Sequence, residues 1–376
     1  MLVPITMLLS HRNVPGVMLF LGLSGLAAIR GMKLPSWSFW AFGFLAYISC
    51  TALWSPYGDA LSWPLYMAAL VLCLTGAARA YDPLTQKALF ISVSLTLLLL
   101  GFEAVTGGLI RDVIPPDSRA DMDDIATARG ITIAISLAPA VLLGLYRKSK
   151  WTAMAVIAIS VGYAATQFGI TVNILAVVAG GLAAVVAYFA PRSALRLTFF
   201  GAGAMIILMP LIVMALPPVE QLILLEEGPV SWRQRLIIWK TVWAATLDHS
   251  FSFLFGHGVE AAKVLRDQLG MVQLPGAAAD LHIIPNHPHN IYLQIWYEIG
   301  VIGVLIFLLA LWQGGKALED LVQDRAMIMA IVALASGTVV FASIDASLWT
   351  WWRVMGPTMG GFGLYYLAHT DQKNFV

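Results

Sequence analysis

Three histidines in the C-terminal half of the chain are the first candidates for chemistry. His282, His287 and His289 lie within eight residues, in the segment LHIIPNHPHN. Imidazole is a common zinc ligand, so a metal site is one interpretation, although no carboxylate or thiolate stands at a standard spacing for a fourth ligand. Histidine also exchanges protons near physiological pH, which suits a general base. Plain surface polarity is a third interpretation. His289 precedes a long apolar segment, so we expect it at a boundary between membrane and water.

A second group of candidates lies in residues 231–249, SWRQRLIIWKTVWAATLDH. The spacing predicts an amphipathic helix with Ser231 as its N-cap. Its apolar stripe consists of Trp232, Leu236, Trp239 and Trp243. Arg235 flanks this stripe on one side, and Arg233 and Lys240 flank it on the other. The pattern is typical of an interfacial anchor helix. It is equally compatible with arginines that bind a phosphorylated lipid, because a guanidinium can bond two phosphate oxygens together.

Further charged residues lie within or beside apolar segments, where charge is costly and often functional. Glu298 lies about two helical turns into the segment that follows His289. Asp345 and Arg353 stand at the adjoining ends of the last two apolar segments, where a structural ion pair between helices is the simplest interpretation. Arg129 precedes another apolar segment, and its side chain either reaches the lipid phosphates or faces a cavity.

The composition places these residues in a membrane protein. Of 376 residues, 59% are hydrophobic and only 11% are charged, whereas soluble proteins carry roughly a quarter charged residues. The formal net charge of +1 gives no bulk attraction to nucleic acid. Cys50 and Cys73 both lie in apolar runs, so a disulfide framework is not expected. We predict an all-α, polytopic transmembrane bundle of eleven or twelve spans. The predicted spans are 15–30, 37–54, 61–79, 86–107, 131–146, 151–168, 171–190, 195–215, 291–312, 326–345 and 350–368.

The charges of the short connections predict the orientation of the bundle. One alternating set of connections carries nearly all of their lysines and arginines and is therefore expected in the cytoplasm. The connection 108–130 and the connection 216–290 then both lie outside it. We divide the chain into an N-terminal transmembrane part (1–215, including the loop 108–130), a large periplasmic loop (216–290) and C-terminal transmembrane helices (291–376). Residues 1–10 are apolar but too short to cross a membrane alone, and they do not resemble a cleavable signal peptide.

The motifs resemble those of the O-antigen ligase and O-antigen polymerase superfamily of bacterial membrane glycosyltransferases. His289-Asn290, nine residues and then Gly300-Val-Ile-Gly303 fit the ligase signature of a histidine, a polar residue and two glycines. Arg235-Leu-Ile-Ile-Trp239, followed by Gly256-His257-Gly258, is similar to a second family motif, and Arg129-Gly130 to a third. By spacing alone, the glycine pair favours close helix packing.

The resemblance implies a GT-C-like fold and a metal-independent, inverting glycosyl transfer in the periplasm, with no cofactor. The donor would be a glycan on undecaprenyl pyrophosphate, and the acceptor a sugar hydroxyl of lipid A-core in the bacterial inner membrane. His289 would be the general base, and Arg235 would stabilise the leaving group. Substrate binding would fall to Arg233, Arg129, Asn290 and Glu298.

Two rival functions remain open. An O-antigen or exopolysaccharide polymerase would use the same donor class with a growing glycan as acceptor. A transporter would also have many spans, but it often shows paired internal repeats and broken helices at matching positions. The sequence shows no such symmetry, and its polar residues cluster outside the predicted spans.

Overall fold

A computed structural model describes residues 38–66, 68, 83–110, 123–167 and 171–373. Helices account for 78% of the structure, with almost no strand, which confirms the all-α prediction. Every predicted span that lies within the described residues is helical. The predicted span 15–30 and most of 61–79 lie outside them, so the number of spans remains a prediction.

The long apolar segments of the sequence form the long helices of the structure. They are α1 (Ser38–Thr51), α2 (Pro83–Thr106), α3 (Asp123–Arg147), α4 (Trp151–Gln167), α5 (Thr171–Phe189), α6 (Pro191–Met214), α7 (Val219–Ile223), α8 (Val230–Thr246), α9 (Ser250–Phe255), α10 (Ala261–Leu269), α11 (Ile291–Leu321), α12 (Arg325–Ile344) and α13 (Trp351–Lys373). Among the described helices, five are long and apolar enough to cross a membrane, within α3, α5, α6, α11 and α12. The protein is therefore a polytopic helical membrane protein. Their outward faces carry large apolar side chains, such as Leu182, Leu197 and Phe200, as expected for contact with lipid.

Polar contacts define one end of the bundle, which we call the basic end. Arg147, at the end of α3, pairs with Asp324 at the start of α12, with 2.7 Å between nitrogen and oxygen. Arg196 of α6 pairs with Glu319 of α11. These ion pairs use arginines of the short connections, so the basic end is the one that the charge pattern assigns to the cytoplasm.

The long connection between α6 and α11 covers the opposite end, which we call the site end. It contains α7 to α10 and a short antiparallel pair of strands, β1 (Met271–Val272) and β2 (Leu281–His282). Lys240 of α8 donates hydrogen bonds to the carbonyl oxygens of Val213, Met214 and Leu216, at 3.2, 3.2 and 2.8 Å. The last carbonyls of a helix have no partner within that helix, so Lys240 satisfies them and fixes α8 above α6.

Helix α8 differs in two ways from its prediction. It begins at Val230 with Pro229 at the N-cap position, so Ser231 is not the N-cap. The tryptophan stripe does not face lipid along its length, because Trp239 and Trp243 are buried in the protein. Trp243 contacts Trp296 of α11 edge to face, with 5.8 Å between ring centroids. The stripe therefore packs α8 onto α11.

The start of α3 also differs from prediction. The helix begins at Asp123 rather than near residue 131. Arg129 is thus inside α3, about two turns from its start.

Helix α11 is interrupted at Gly300, whose φ of 68° and ψ of −172° are not helical. The Gly256-His257-Gly258 turn packs against this break. The backbone nitrogens of His257 and Gly258 donate to the carbonyl oxygens of Tyr297 and Glu298, each at 2.9 Å. A Cβ on Gly300 would overlap the Gly256 nitrogen, and one on Gly256 would overlap the Glu298 carbonyl. The two glycine motifs therefore meet in one close backbone contact, which agrees with the packing role expected of Gly300.

Candidate active site

The candidate active site is built around the carboxylate of Asp345, which follows the last residue of α12. Arg353 of α13 pairs with it, with 2.7 Å between Nη1 and Oδ2. His289 Nδ1 lies 3.4 Å from Oδ1. Arg235 Nη2 of α8 lies 3.7 Å from the same oxygen. The structure therefore confirms the Asp345–Arg353 pair and also places the two predicted catalytic residues against it.

The backbone around His289 explains why asparagine follows it. His289 has a φ of 54°, which is rare outside glycine. Asn290 is the N-cap of α11 and accepts a hydrogen bond from the Leu293 nitrogen at 3.0 Å. Its amide also donates to the Ser343 carbonyl of α12 at 2.7 Å. Asn290 is fully buried, so it holds His289 at the junction of α11 and α12 and is not open to a substrate.

Arg235 reaches the same junction from α8. Its Nε donates to the Ile344 carbonyl at 2.9 Å, and its Nη1 donates to the Ser231 carbonyl at 3.0 Å. These two bonds anchor the guanidinium and leave Nη2 directed towards Asp345. The Arg235 side chain is 15% exposed. The guanidinium is therefore held at a partly exposed position beside the Asp345 carboxylate.

Among the described residues, two arginines, Arg235 and Arg353, lie within 4 Å of the one carboxylate at this site, Asp345. Arg129 of α3 lies close enough to act electrostatically on His287 and Arg353. Burial favours a higher pKa for the Asp345 carboxyl, but His289, Arg353 and Arg235 outweigh it and lower that pKa below its ordinary value. Asp345 is therefore ionised, and the excess cationic charge suits a phosphate or pyrophosphate.

The other two histidines occupy different surroundings. The His287 ring lies beside that of His289, with 4.2 Å between centroids, and its Nδ1 accepts from the His289 backbone nitrogen at 3.2 Å. Burial, then His289 and Arg353, hold the pKa of His287 well below its usual value, so it is neutral. His282 is exposed on β2. Among the described residues no three histidine, cysteine or acidic side chains converge as metal ligands.

Arg233 does not join this cluster. It is buried, and its guanidinium donates to the Leu225 carbonyl and, at 2.6 Å, to the Pro275 carbonyl. Those carbonyls belong to the segments before α8 and after β1. Arg233 therefore ties the long connection together, whereas Arg235, two residues later on the same helix, faces the site.

Glu298 is also placed apart from any open surface. Its carboxylate is fully buried and accepts hydrogen bonds from the backbone nitrogens of Glu260 and Ala262, at 3.1 and 3.2 Å. The side chains of Gln294 and Trp349 donate to it as well. These partners come from three parts of the chain, so Glu298 joins the start of α10, α11 and the connection before α13.

The sequence favoured a structural ion pair for Asp345 and Arg353, although charged residues beside apolar segments are also candidates for function. Their signal was already visible, because both are charged residues in a strongly apolar region. The contact of Asp345 with His289 was not visible, since 56 positions separate them in the sequence.

Comparisons with known proteins address the same region. Residues 169–308 match the family model described as O-antigen ligase. A protein of Rickettsia conorii whose name describes it as a polysaccharide ligase is 26% identical over 128 residues. That match covers 34% of this chain, which spans only 30% of the length of the relative. No solved structure matches the chain significantly. The family match includes Arg235, His289 and Gly300 but not Asp345. The comparisons confirm the resemblance drawn from these motifs: residues 169–308 of this helical membrane protein match the O-antigen ligase family model.

Proposed function

We propose that the protein is an O-antigen ligase-type glycosyltransferase of the bacterial inner membrane. It transfers a glycan from undecaprenyl pyrophosphate to a sugar hydroxyl of lipid A-core, at the periplasmic face. The observation that carries the proposal is the convergence of His289 and Arg235, from separate elements, on Asp345. A lipid-pyrophosphate donor carries its own activation, which suits a compartment without nucleotides.

His289 acts as the general base. Its Nδ1 faces the ionised Asp345, which favours the tautomer with the proton on Nδ1 and leaves Nε2 free to accept one. The His289 side chain is 25% exposed, so an acceptor hydroxyl can reach it. Asp345 is thus a positioning residue, and it also stabilises the imidazolium that forms when Nε2 takes the proton.

The arginines act on the leaving group. The acceptor oxygen attacks the anomeric carbon as His289 takes its proton, and the bond from that carbon to the pyrophosphate oxygen breaks. The electron pair stays with the lipid pyrophosphate, and a single displacement inverts the configuration. Arg235, with Arg129 and Arg353, stabilises the negative charge that develops. No step requires a metal ion.

The surroundings of Arg233, Asn290 and Glu298 argue against the substrate-binding roles expected for these three residues from the sequence. Asn290 and Glu298 have their polar atoms bonded to other parts of the protein, and the two terminal nitrogens of Arg233 donate to backbone carbonyls. We propose that these residues shape the site and do not contact substrate, whereas Arg129 remains a proposed phosphate ligand.

Reconstitution tests this function. The purified protein in liposomes receives an undecaprenyl-pyrophosphate glycan and either lipid A-core or free glycan as acceptor, with and without a chelator. We expect transfer to lipid A-core in both conditions. Transfer only to free glycan would establish a polymerase instead, and loss of transfer with the chelator would contradict a metal-independent reaction.

A further inference from the structure

A groove runs along the membrane-spanning surface between α5, α6 and α12. Its volume is about 510 Å³, and small or apolar residues line it, among them Ala183 of α5, Gly201 and Leu208 of α6, and Val332 and Val339 of α12. Along α6 the lining extends from residue 194 to residue 208, about 20 Å. This is roughly two thirds of the hydrocarbon thickness of a bilayer.

The upper end of the groove lies close to the candidate active site along α12. Val340, the last lining residue of α12, is one helical turn before Ile344. The Ile344 carbonyl accepts the hydrogen bond of Arg235, and Asp345 follows it. On α12 the lining of the groove therefore stops about one helical turn short of the residues that hold the cationic cluster.

We propose that this groove holds the polyprenyl chain of the donor. The proposal rests on the ligase function proposed above and states where the lipid chain of the donor binds in the protein. This donor has an anionic head on a single long apolar chain. The head matches the cationic cluster above the groove, and the chain matches the apolar lining of the groove.

The donor fits this position better than the acceptor does. In a prenyl pyrophosphate the apolar chain is bonded directly to the phosphate, so the chain must begin where the pyrophosphate binds. In lipid A-core the acyl chains are separated from the acceptor hydroxyl by the core sugars. They can therefore lie elsewhere while the hydroxyl reaches His289.

Gly201→Phe tests the proposal because an added side chain at Gly201 meets no atom within 4 Å and would enter the groove. Gly181→Phe is the matched control. Gly181 also lies in a membrane-spanning helix and also has open space around it, but it is not among the residues that line the groove. Each variant is compared with wild type using donors that carry either a full-length or a short prenyl chain.

We expect Gly201→Phe to raise the KM for the full-length donor about tenfold. Membrane lipid and the groove are equally apolar surroundings for the prenyl chain, so the variant loses only the packing contacts between the chain and the groove. The KM for the acceptor and the use of the short donor should not change, and Gly181→Phe should resemble wild type. A higher acceptor KM, or an equal loss with both donors, would overturn the proposal.

A binding measurement separates this proposal from the ligase function. Undecaprenyl phosphate with a photoreactive chain should label peptides that contain residues 194–208 or 332–340, and Gly201→Phe should abolish this labelling. Labelling without transfer would leave the groove assigned and refute the ligase function. Labelling elsewhere, or crosslinks from the groove to phospholipid or to another segment of protein, would overturn the chain site even if transfer occurs.

Discussion

Replacing each of the two neighbouring arginines of α8 with lysine should give opposite results. Arg235 anchors its guanidinium on the Ile344 and Ser231 carbonyls and directs Nη2 into the site. Lysine keeps the charge but cannot make both anchoring bonds and also present a fixed donor to phosphate. Arg235→Lys should therefore lose about one charge-assisted hydrogen bond in the transition state.

Such a bond contributes about 1.5–3 kcal/mol, which corresponds to a rate loss of roughly 10- to 150-fold. The loss should appear in kcat/KM for transfer in liposomes at equal protein level. The melting temperature of Arg235→Lys in detergent should fall no further than that of Arg233→Lys, because each variant loses an anchoring bond to a backbone carbonyl.

Arg233→Lys is the matched control. Arg233 bonds the carbonyls of Leu225 and Pro275 and joins two segments of the long connection. Loss of one of these bonds should reduce stability by about 1–2 kcal/mol and lower the melting temperature, with transfer nearly unchanged below that temperature. Slow transfer in Arg233→Lys together with normal transfer in Arg235→Lys would refute the assignment of the two arginines.

Three further predictions concern the backbone, the pH response and the orientation. Gly300→Ala should destabilise the protein by about 3 kcal/mol or more in denaturant titration, because the φ of Gly300 is positive and a Cβ there would overlap Gly256. Gly314→Ala is the control and should not destabilise the protein, because Gly314 has open space around it. Burial, His289 and Arg353 lower the pKa of His287, so the unfolded chain binds a proton more readily, and stability should fall as the pH drops below about 6.5. His287→Gln should flatten that decline in melting temperature, and an unchanged slope would contradict it. In a cysteine-free background, a cysteine at Gln273 should react with an impermeant thiol reagent in spheroplasts and one at Lys148 should not; the reverse labelling would place the site in the cytoplasm.

The sequence was sufficient for the fold class, because long apolar segments allow few structures other than membrane helices. It also placed His289 correctly, since a histidine directly before a long apolar segment must lie near the end of a helix. Both inferences use only neighbouring residues, whose effects on structure are local.

The remaining features depend on contacts between distant residues. Glu298 looked like a substrate ligand, but its partners come from residues 260–262 and from Trp349. The helical pattern places Arg233 and Arg235 on opposite sides of the tryptophan stripe, and the segments that pack around α8 decide which side faces the site. The tryptophans of α8 suit either lipid or a protein interior, and the position of α11 decides between the two.

The most direct test of the account compares His289→Ala with His282→Ala in the reconstituted transfer assay, at equal protein level. A positioned general base contributes about 100- to 10,000-fold. His289→Ala should therefore lose nearly all transfer to lipid A-core while still binding the donor, and His282→Ala should remain close to wild type, because His282 is exposed on β2. Full activity in His289→Ala, or equal losses in both variants, would contradict the assignment of His289 as the base.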